Sequence, residues 1–316
     1  MDLFLATFES VAILLGIGII GFWIIRKKVL PVTVLQSLSP LALEIALPSL
    51  VFVNILQDFS PQSYPFWWQL PLWWLFFTAI IALCTFVFTF ISKKSKRREF
   101  AISLFYQNGI FFPLAILTGM FQDSETYIVS LFLFTLLYPG FFFSTYHLFF
   151  RNKAKNKFSI PLNKIFHPAF IATLLAIGLV LIGVSSYVPH FILSILSLLG
   201  AMTVPLLMII LGGNVFVDSQ NHSSIYFSEI LKFILVKNFI FPFIFLGFIL
   251  MLKPYLTYTI ALLLLLESAV PPLTAIPIVT GRLNGDRSFV SQLLVGSFIT
   301  SVISIPLMIF IFSTIF

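Results

Sequence analysis

The chain alternates long apolar stretches with short polar connections, and this alternation predicts ten membrane-spanning helices. The hydrocarbon core of a bilayer is about 30 Å thick, so a helix needs about 20 apolar residues to cross it. Cut at charges and at clusters of Pro, Gly and Asn, the sequence gives ten stretches of about that size. They lie near 4–25, 32–56, 67–92, 100–121, 126–150, 165–184, 190–215, 226–252, 255–280 and 287–315.

Composition excludes a water-soluble globular protein. Of the 316 residues, 59% are hydrophobic and only 9% are charged, whereas about 25% of the residues in a globular chain are charged. The cations occur in short runs between apolar stretches, a pattern that indicates membrane orientation rather than nucleic-acid binding. The sequence therefore predicts an all-α polytopic membrane protein in contact with the lipid bilayer, with no nucleic-acid partner, no metal site and no cofactor.

The positions of Lys and Arg predict which connections face the cytoplasm. Fifteen of the 18 cations fall in four alternate connections, at 26–28, 93–98, 151–164 and 282–287. Because such residues concentrate in cytoplasmic loops, we expect both termini outside, in a bacterial inner membrane. The connection near 218–228 has no Lys or Arg. Lys232 and Lys237 lie early in the eighth stretch, and their long side chains are expected to extend back to the cytoplasmic headgroups.

The longest polar connection divides the ten stretches into two sets of five, so the second set inserts in the opposite orientation. Two pairs of prolines support a duplication, because Pro48 and Pro205 are 157 residues apart and Pro113 and Pro271 are 158 apart. A nearly constant offset is typical of an inverted repeat. The prediction is a first five-helix repeat at 1–150, a basic cytoplasmic linker at 151–164 and a second, inverted repeat at 165–316.

Stretches four and nine combine helix-breaking residues with polar groups. The fourth contains QNGIFFP at 107–113, and the ninth contains ESAVPPLTAIP at 267–277. A break inside the membrane persists only where it faces protein or a wet cavity, and the N-termini of half-helices favour an anion. A kink in each helix is the alternative. The expected substrate-binding residues are Asn108, Gly109, Pro113, Ser268, Pro271, Pro272 and Thr274, with Asn54 and Asn214 as further amides of a polar cavity.

Two carboxylates within the apolar stretches are candidates for ion coupling. Glu267 comes shortly before the Pro pair, and Glu44 lies four residues before Pro48 on the same helical face. A carboxylate inside a membrane is costly and usually functional, so we expect Glu267, and after it Glu44, to bind a coupling proton or a sodium ion. A structural hydrogen bond to a neighbouring group is the alternative for both.

The segment ESAVPPLTAIPIVTGRLNGDRSFVSQLLVGSFITSVISIP, at 267–306, resembles the signature of the auxin efflux carrier family, which includes malonate and malate permeases. LPSLVFVNI at 47–55 and VPLLMIILGG at 204–213 are similar to its second and seventh helices, and 108–113 to its fourth-helix crossover. The resemblance implies ten helices in two inverted repeats with broken crossover helices four and nine, as in bile-acid symporters and NhaA. It also implies an elevator-like movement and transport of small organic anions. Where many members have Asn after the Pro pair, this chain has Ala275, with Thr274 the nearest polar residue.

The combined features predict a secondary active transporter of a small organic carboxylate, coupled to a cation. No GxxxxGK[ST], HExxH or GxSxG motif occurs, which argues against ATP-driven transport, a membrane protease and a lipase. An uncoupled uniporter or exporter of an auxin-like or other organic anion is the first alternative. A non-transporting membrane sensor is the second, and would have a soluble output module, for which no connection is long enough. The oligomeric state is a further question, and a homodimer is one possibility that the sequence allows.

Overall fold

The computed structural model describes residues 3–121, 125–150, 168–220 and 225–316, and the helices α1–α10 account for most of them. Two of the ten, α4 and α9, consist of two separate parts, labelled a and b. The bounds are α1 Leu3–Arg26, α2 Val34–Asp58, α3 Gln69–Ile91, α4a Arg97–Phe105, α4b Phe111–Met120, α5 Glu125–Phe150, α6 Pro168–Ile182, α7 His190–Gln220, α8 Phe227–Tyr255, α9a Tyr258–Ala269, α9b Ile276–Arg282 and α10 Arg287–Ile315.

Seven of these helices are long and apolar enough to cross a membrane, namely α1, α2, α3, α5, α7, α8 and α10. Three shorter apolar helices accompany them: α4b, α6 and α9a. The expectation of an all-helical membrane protein is thus confirmed for the described residues. The predicted linker at 151–164 lies outside the described residues, as do residues 165–167 of the sixth stretch.

Two wide turns of π-helix interrupt the regular geometry of α2 and α8. They span Leu41–Ala46 and Leu235–Ile240, and each ends two residues before a proline, Pro48 or Pro242. A proline has no N–H to donate, and its ring crowds the carbonyl four residues earlier. The preceding turn widens as a result.

The helices pack in two groups. α1 packs along α7, and α2 packs against α6 and the first part of α7; we call these four helices the α1 group. The other six helices contact one another and form what we call the α10 group. Glycines allow α1 and α7 to approach closely, since a Cβ on Gly21 would lie 2.7 Å from the Cα of Ile209. Both groups contain helices from each half of the sequence. α1 contacts α10 and α4b, and further contacts between the groups join α2 to α5 and α7 to α10.

Ion pairs bring three connections together at one end of the bundle. Lys96 pairs with Asp286, and Arg287 pairs with Asp218 at 2.8 Å. The end of α7, which has no cation of its own, therefore lies at the same end as the basic connections at 93–98 and 282–287. At the opposite end, the Lys253 Nζ donates to the Ile315 carbonyl at 2.8 Å, so α10 ends far from the basic connections.

Candidate functional site

α4 and α9 are each interrupted, and the two interruptions contact each other directly. The helical structure of α4 stops at 106–110 and that of α9 at 270–275. The Asn108 N–H donates to the Pro271 carbonyl at 2.8 Å, and the Leu273 N–H donates to the Tyr106 carbonyl at 3.0 Å. Gln107 and Pro272 are paired in antiparallel fashion between these bonds. We call this pairing of 106–110 with 270–275 the crossing.

The amino acids at each interruption explain why the helices stop there. Pro271 and Pro272 have no N–H, and a residue before proline favours extended backbone; Val270 accordingly has φ −70° and ψ 150°. Pro113, by contrast, lies outside the interruption of α4. It is the third residue of α4b, where an amide N–H would have no partner within the helix.

Gly109 leaves the space that the Glu267 carboxylate occupies. A Cβ on Gly109 would lie 2.9 Å from both the Cδ and the Oε1 of Glu267. Glu267 lies near the end of α9a and is only 1% exposed. The Gln107 side chain interacts with the same carboxylate. The acidic group of α9 is therefore held against the interrupted backbone of α4.

Several buried polar atoms at the crossing have no hydrogen-bond partner in the structure. They are the Nδ2 and Oδ1 of Asn108, the Oε1 of Gln107 and the Oε1 of Glu267. Buried polar groups are almost always hydrogen-bonded, and leaving one unpaired costs about 1–3 kcal/mol. Their concentration at one place makes the crossing the candidate site for a ligand with its own hydrogen-bonding groups.

A buried lysine lies next to the crossing. Lys237 belongs to the wide turn of α8 and is 0% exposed. Its Nζ donates to the Ser268 carbonyl at 3.4 Å, and the ammonium interacts electrostatically with Glu267. Ten residues separate Lys237 from the start of α8, which is about 15 Å of helix and half the thickness of a bilayer core.

The expectation that Lys237 extends to the cytoplasmic headgroups is therefore wrong. The wide turn and the neighbouring α9a enclose the side chain, so it has no path along the helix surface to the headgroups. Lys232, five residues earlier, remains partly exposed and pairs with Glu229 at 2.8 Å. The sequence does contain a signal for the burial of Lys237, namely its depth, because a lysine ten residues into an apolar helix is near the membrane centre.

The structure brings Asn108, Gly109, Pro271, Pro272 and Glu267 together at the crossing. The hydroxyl of Ser268 is bonded within its own helix, to the Leu265 carbonyl at 2.7 Å. The Asn54 amide likewise donates to the Leu50 carbonyl at 2.7 Å. Thr274 lies in the interruption of α9 and is partly exposed. These side chains differ from Asn108, whose amide is unpaired.

Glu44 and Asn214 line a polar cavity of about 900 Å³ between α2, α7 and α9b. Arg282 and Arg287 also line it, and they place it at the end of the bundle that carries the basic connections. We call this cavity the vestibule. It joins polar and positively charged groups of α7, α9b and α10 with one exposed carboxylate of α2.

Asn238 is a second polar residue of α8 that the sequence did not single out. Its Nδ2 donates to the Ser297 carbonyl at 3.0 Å and to the Ser304 Oγ at 3.2 Å, and the Ser297 Oγ donates to the Asn238 Oδ1 at 2.8 Å. Ser304 belongs to the Ser-rich segment TSVISIP at 300–306. In this structure that segment ties α10 to α8.

Comparison with known protein families gives a match over nearly the whole chain. A family model described as "Membrane transport protein" matches residues 6–309. The matched range begins within α1 and ends within α10, and it includes both interruptions. Comparison with individually curated proteins gives no match.

Proposed function

The chain is an integral membrane protein that belongs to the auxin efflux carrier family of membrane transport proteins, and from this premise we propose that it is a secondary active transporter of a small organic carboxylate. The substrate binds at the crossing, and an elevator-type movement exposes it to either side of a bacterial inner membrane. Both termini lie outside. The chain acts as a carrier and not as an enzyme.

The observation that carries this proposal is the unpaired side chain of Asn108. Its amide offers two N–H donors and an acceptor, and none of them is bonded. The helix α4b begins three residues later, and a helix N-terminus attracts negative charge. N–H donors beside a helix N-terminus suit a carboxylate group. This match between N–H donors and a carboxylate is the basis for the proposed class of substrate.

The two helix groups support an elevator-type movement. The crossing lies wholly within the α10 group, because α4 and α9 both belong to it. A displacement of this group against the α1 group would carry the crossing, with its substrate, across the membrane. Each group combines helices from 1–150 and from 165–316, as two inverted five-helix repeats with crossover helices four and nine require.

Coupling depends on Glu267 and Lys237. A carboxylate substrate is repelled by an ionised Glu267 unless a cation neutralises it. The Lys237 side chain interacts electrostatically with Glu267 and occupies the place beside it that a sodium ion would take. Where a cation is transported with the substrate, it is therefore a proton on Glu267 and not sodium. Glu44, exposed at the vestibule, is the second candidate for this role.

The vestibule provides the route from the cytoplasm. Arg282 raises the local concentration of anions there, whereas Arg287 is paired with Asp218. Asn214 adds a neutral hydrogen-bonding group. Since α9b continues from the crossing to Arg282, a substrate in the vestibule is already next to the half-helix that leads to the site.

Proteoliposomes test the proposal with a panel of labelled small carboxylates under imposed proton and sodium gradients. We expect uptake of at least one carboxylate, driven by the proton gradient and indifferent to sodium. Asn108→Ala should abolish this uptake, whereas Asn54→Ala, which removes an amide bonded within its own helix, should retain it. Transport by a folded Asn108→Ala variant at the normal rate, or the failure of every carboxylate with folded wild type, would contradict the proposal.

An uncoupled uniporter is the second candidate, and Lys237 is the observation that favours it. A fixed ammonium beside Glu267 can balance the charge of the site without any transported cation. In that case the labelled carboxylate equilibrates across the liposome membrane but does not accumulate under either gradient. The same experiment therefore separates the two candidates.

A further inference from the structure

A second cavity, of about 570 Å³, lies between α3, α4a and α5. Its lining is almost wholly apolar and aromatic, with Phe86, Phe90 and Leu148 at its edge. These three side chains are 68%, 55% and 40% exposed. In a chain that spans a membrane, such exposed apolar groups face lipid, so the cavity opens sideways from the bundle into the hydrocarbon.

The length of the cavity is close to that of one leaflet of a bilayer. Its lining follows α3 from Phe90, near the basic connection, to Ala82, and on α4 it ends at Tyr106. The eight residues of α3 from Phe90 to Ala82 correspond to about 12 Å of helix, and half of the hydrocarbon core is roughly 15 Å. The cavity therefore extends from the level of the headgroups almost to the membrane centre.

Positive charge surrounds the shallow end. The Arg97 guanidinium lies 5.1 Å from the centre of the Phe90 ring, which lines the cavity. Lys93, Lys94 and Arg98 are exposed next to it. Among the described residues, no carboxylate pairs with Arg97 or Arg98. Such a cluster at a membrane surface attracts anionic lipid headgroups.

We propose that this cavity binds one acyl chain of an anionic phospholipid, with the headgroup held by Arg97 and the neighbouring cations. The lateral opening, the apolar lining and the depth of one leaflet fit an acyl chain, and the charge at the mouth selects the headgroup. The end of the acyl chain lies against Tyr106. The Tyr106 carbonyl accepts the hydrogen bond that the Leu273 N–H donates at the crossing. The bound lipid thus supports the crossing from its lipid-facing side, whatever the substrate.

Native mass spectrometry of the full chain, released from nanodiscs of mixed phosphatidylglycerol and phosphatidylcholine, tests this site. Ala82→Trp fills the cavity, whereas Leu83→Trp adds the same ring at the next position, which is 64% exposed and outside the lining. We expect wild type and Leu83→Trp to retain phosphatidylglycerol and Ala82→Trp to lose it. Arg97→Gln should lower the preference for phosphatidylglycerol about fivefold.

Ala101→Phe fills the cavity from α4a and replaces Ala82→Trp if that variant does not fold, as judged by thermal unfolding in detergent. Equal retention of phosphatidylglycerol by the filled variant and by Leu83→Trp would overturn the site. Equal retention of the two phospholipids by wild type, with no effect of Arg97→Gln, would overturn the assignment of an anionic lipid.

Discussion

Gly109 of α4 and Glu267 of α9 share one small space, because the carboxylate fills the position where a side chain at residue 109 would begin. An ideal Cβ at that position would lie 2.9 Å from the Cδ of Glu267. The two interrupted helices are therefore matched in shape as well as through their main-chain hydrogen bonds. This relationship makes residue 109 a sensitive probe of the crossing.

Gly109→Ala should impair transport, because the added methyl group displaces the Glu267 carboxylate or separates the interrupted helices. Overpacking of this kind costs about 1–3 kcal/mol. Gly247→Ala is the matched control, since a Cβ there meets no atom within 4 Å. Initial rates of labelled carboxylate uptake, at equal amounts of reconstituted protein, measure the effect. Equal rates for the two variants would show that the carboxylate does not need its present position.

Lys237→Met should lower the thermal midpoint of the protein in detergent, because it removes the amine that interacts electrostatically with the buried Glu267 carboxylate. Removing one partner of a directly contacting buried ion pair costs about 3–5 kcal/mol, whereas replacing both is often neutral; we expect a smaller loss here, since Lys237 and Glu267 are not in direct ion-pair contact. The double variant Lys237→Met/Glu267→Gln should therefore regain much of the midpoint. Lys94→Met, at an exposed position of a connection, should leave the midpoint unchanged. Additive losses in the double variant would argue against a charge pair.

Glu267→Gln tests the coupling itself, because it keeps the size and hydrogen bonding of the side chain but removes the titratable proton. We expect the variant to lose accumulation driven by a proton gradient, to retain exchange of labelled for unlabelled substrate, and to lose the pH dependence of transport. Glu44→Gln is the comparison at the vestibule. Normal accumulation by Glu267→Gln and a defect in Glu44→Gln would transfer the coupling role to Glu44.

The orientation of the bundle can be tested with single cysteines in a Cys84→Ser background. Ser95 lies in a basic connection and Ser63 in the connection between α2 and α3; both are exposed. Because basic connections are cytoplasmic, Ser63→Cys should react with an impermeant thiol reagent in intact cells, and Ser95→Cys only after permeabilisation. The reverse pattern would place both termini in the cytoplasm.

Hydropathy was sufficient to predict an all-helical membrane protein, because the length of an apolar run reflects the thickness of the bilayer. Seven of the predicted stretches contain helices long and apolar enough to cross a membrane, and the division into ten spans stays a prediction. The position of the break in α4 was less accessible from sequence. Pro113 suggested it, yet the helix stops at 106–110, since a proline is tolerated in the first turn of the next helix.

The environment of Lys237 could not be derived from local sequence. Its burial depends on the wide turn before Pro242 and on the Ser268 carbonyl, which is contributed by another helix. The same holds for Gly109, which looked like a helix breaker and proves to be the space for a carboxylate of α9. Contacts between helices determine the surroundings of both residues, and such contacts cannot be read directly from a single sequence.

The hydrogen bonds that join 106–110 to 270–275 use only peptide groups. Substitution of a side chain at the crossing therefore removes none of these main-chain hydrogen bonds, provided that the new residue adopts the same backbone angles. The groups proposed to recognise the substrate, above all the Asn108 amide, are attached to main-chain pairing that does not depend on them. Exchanging that amide for another hydrogen-bonding group is thus a route to a carrier for a different anion with the same architecture.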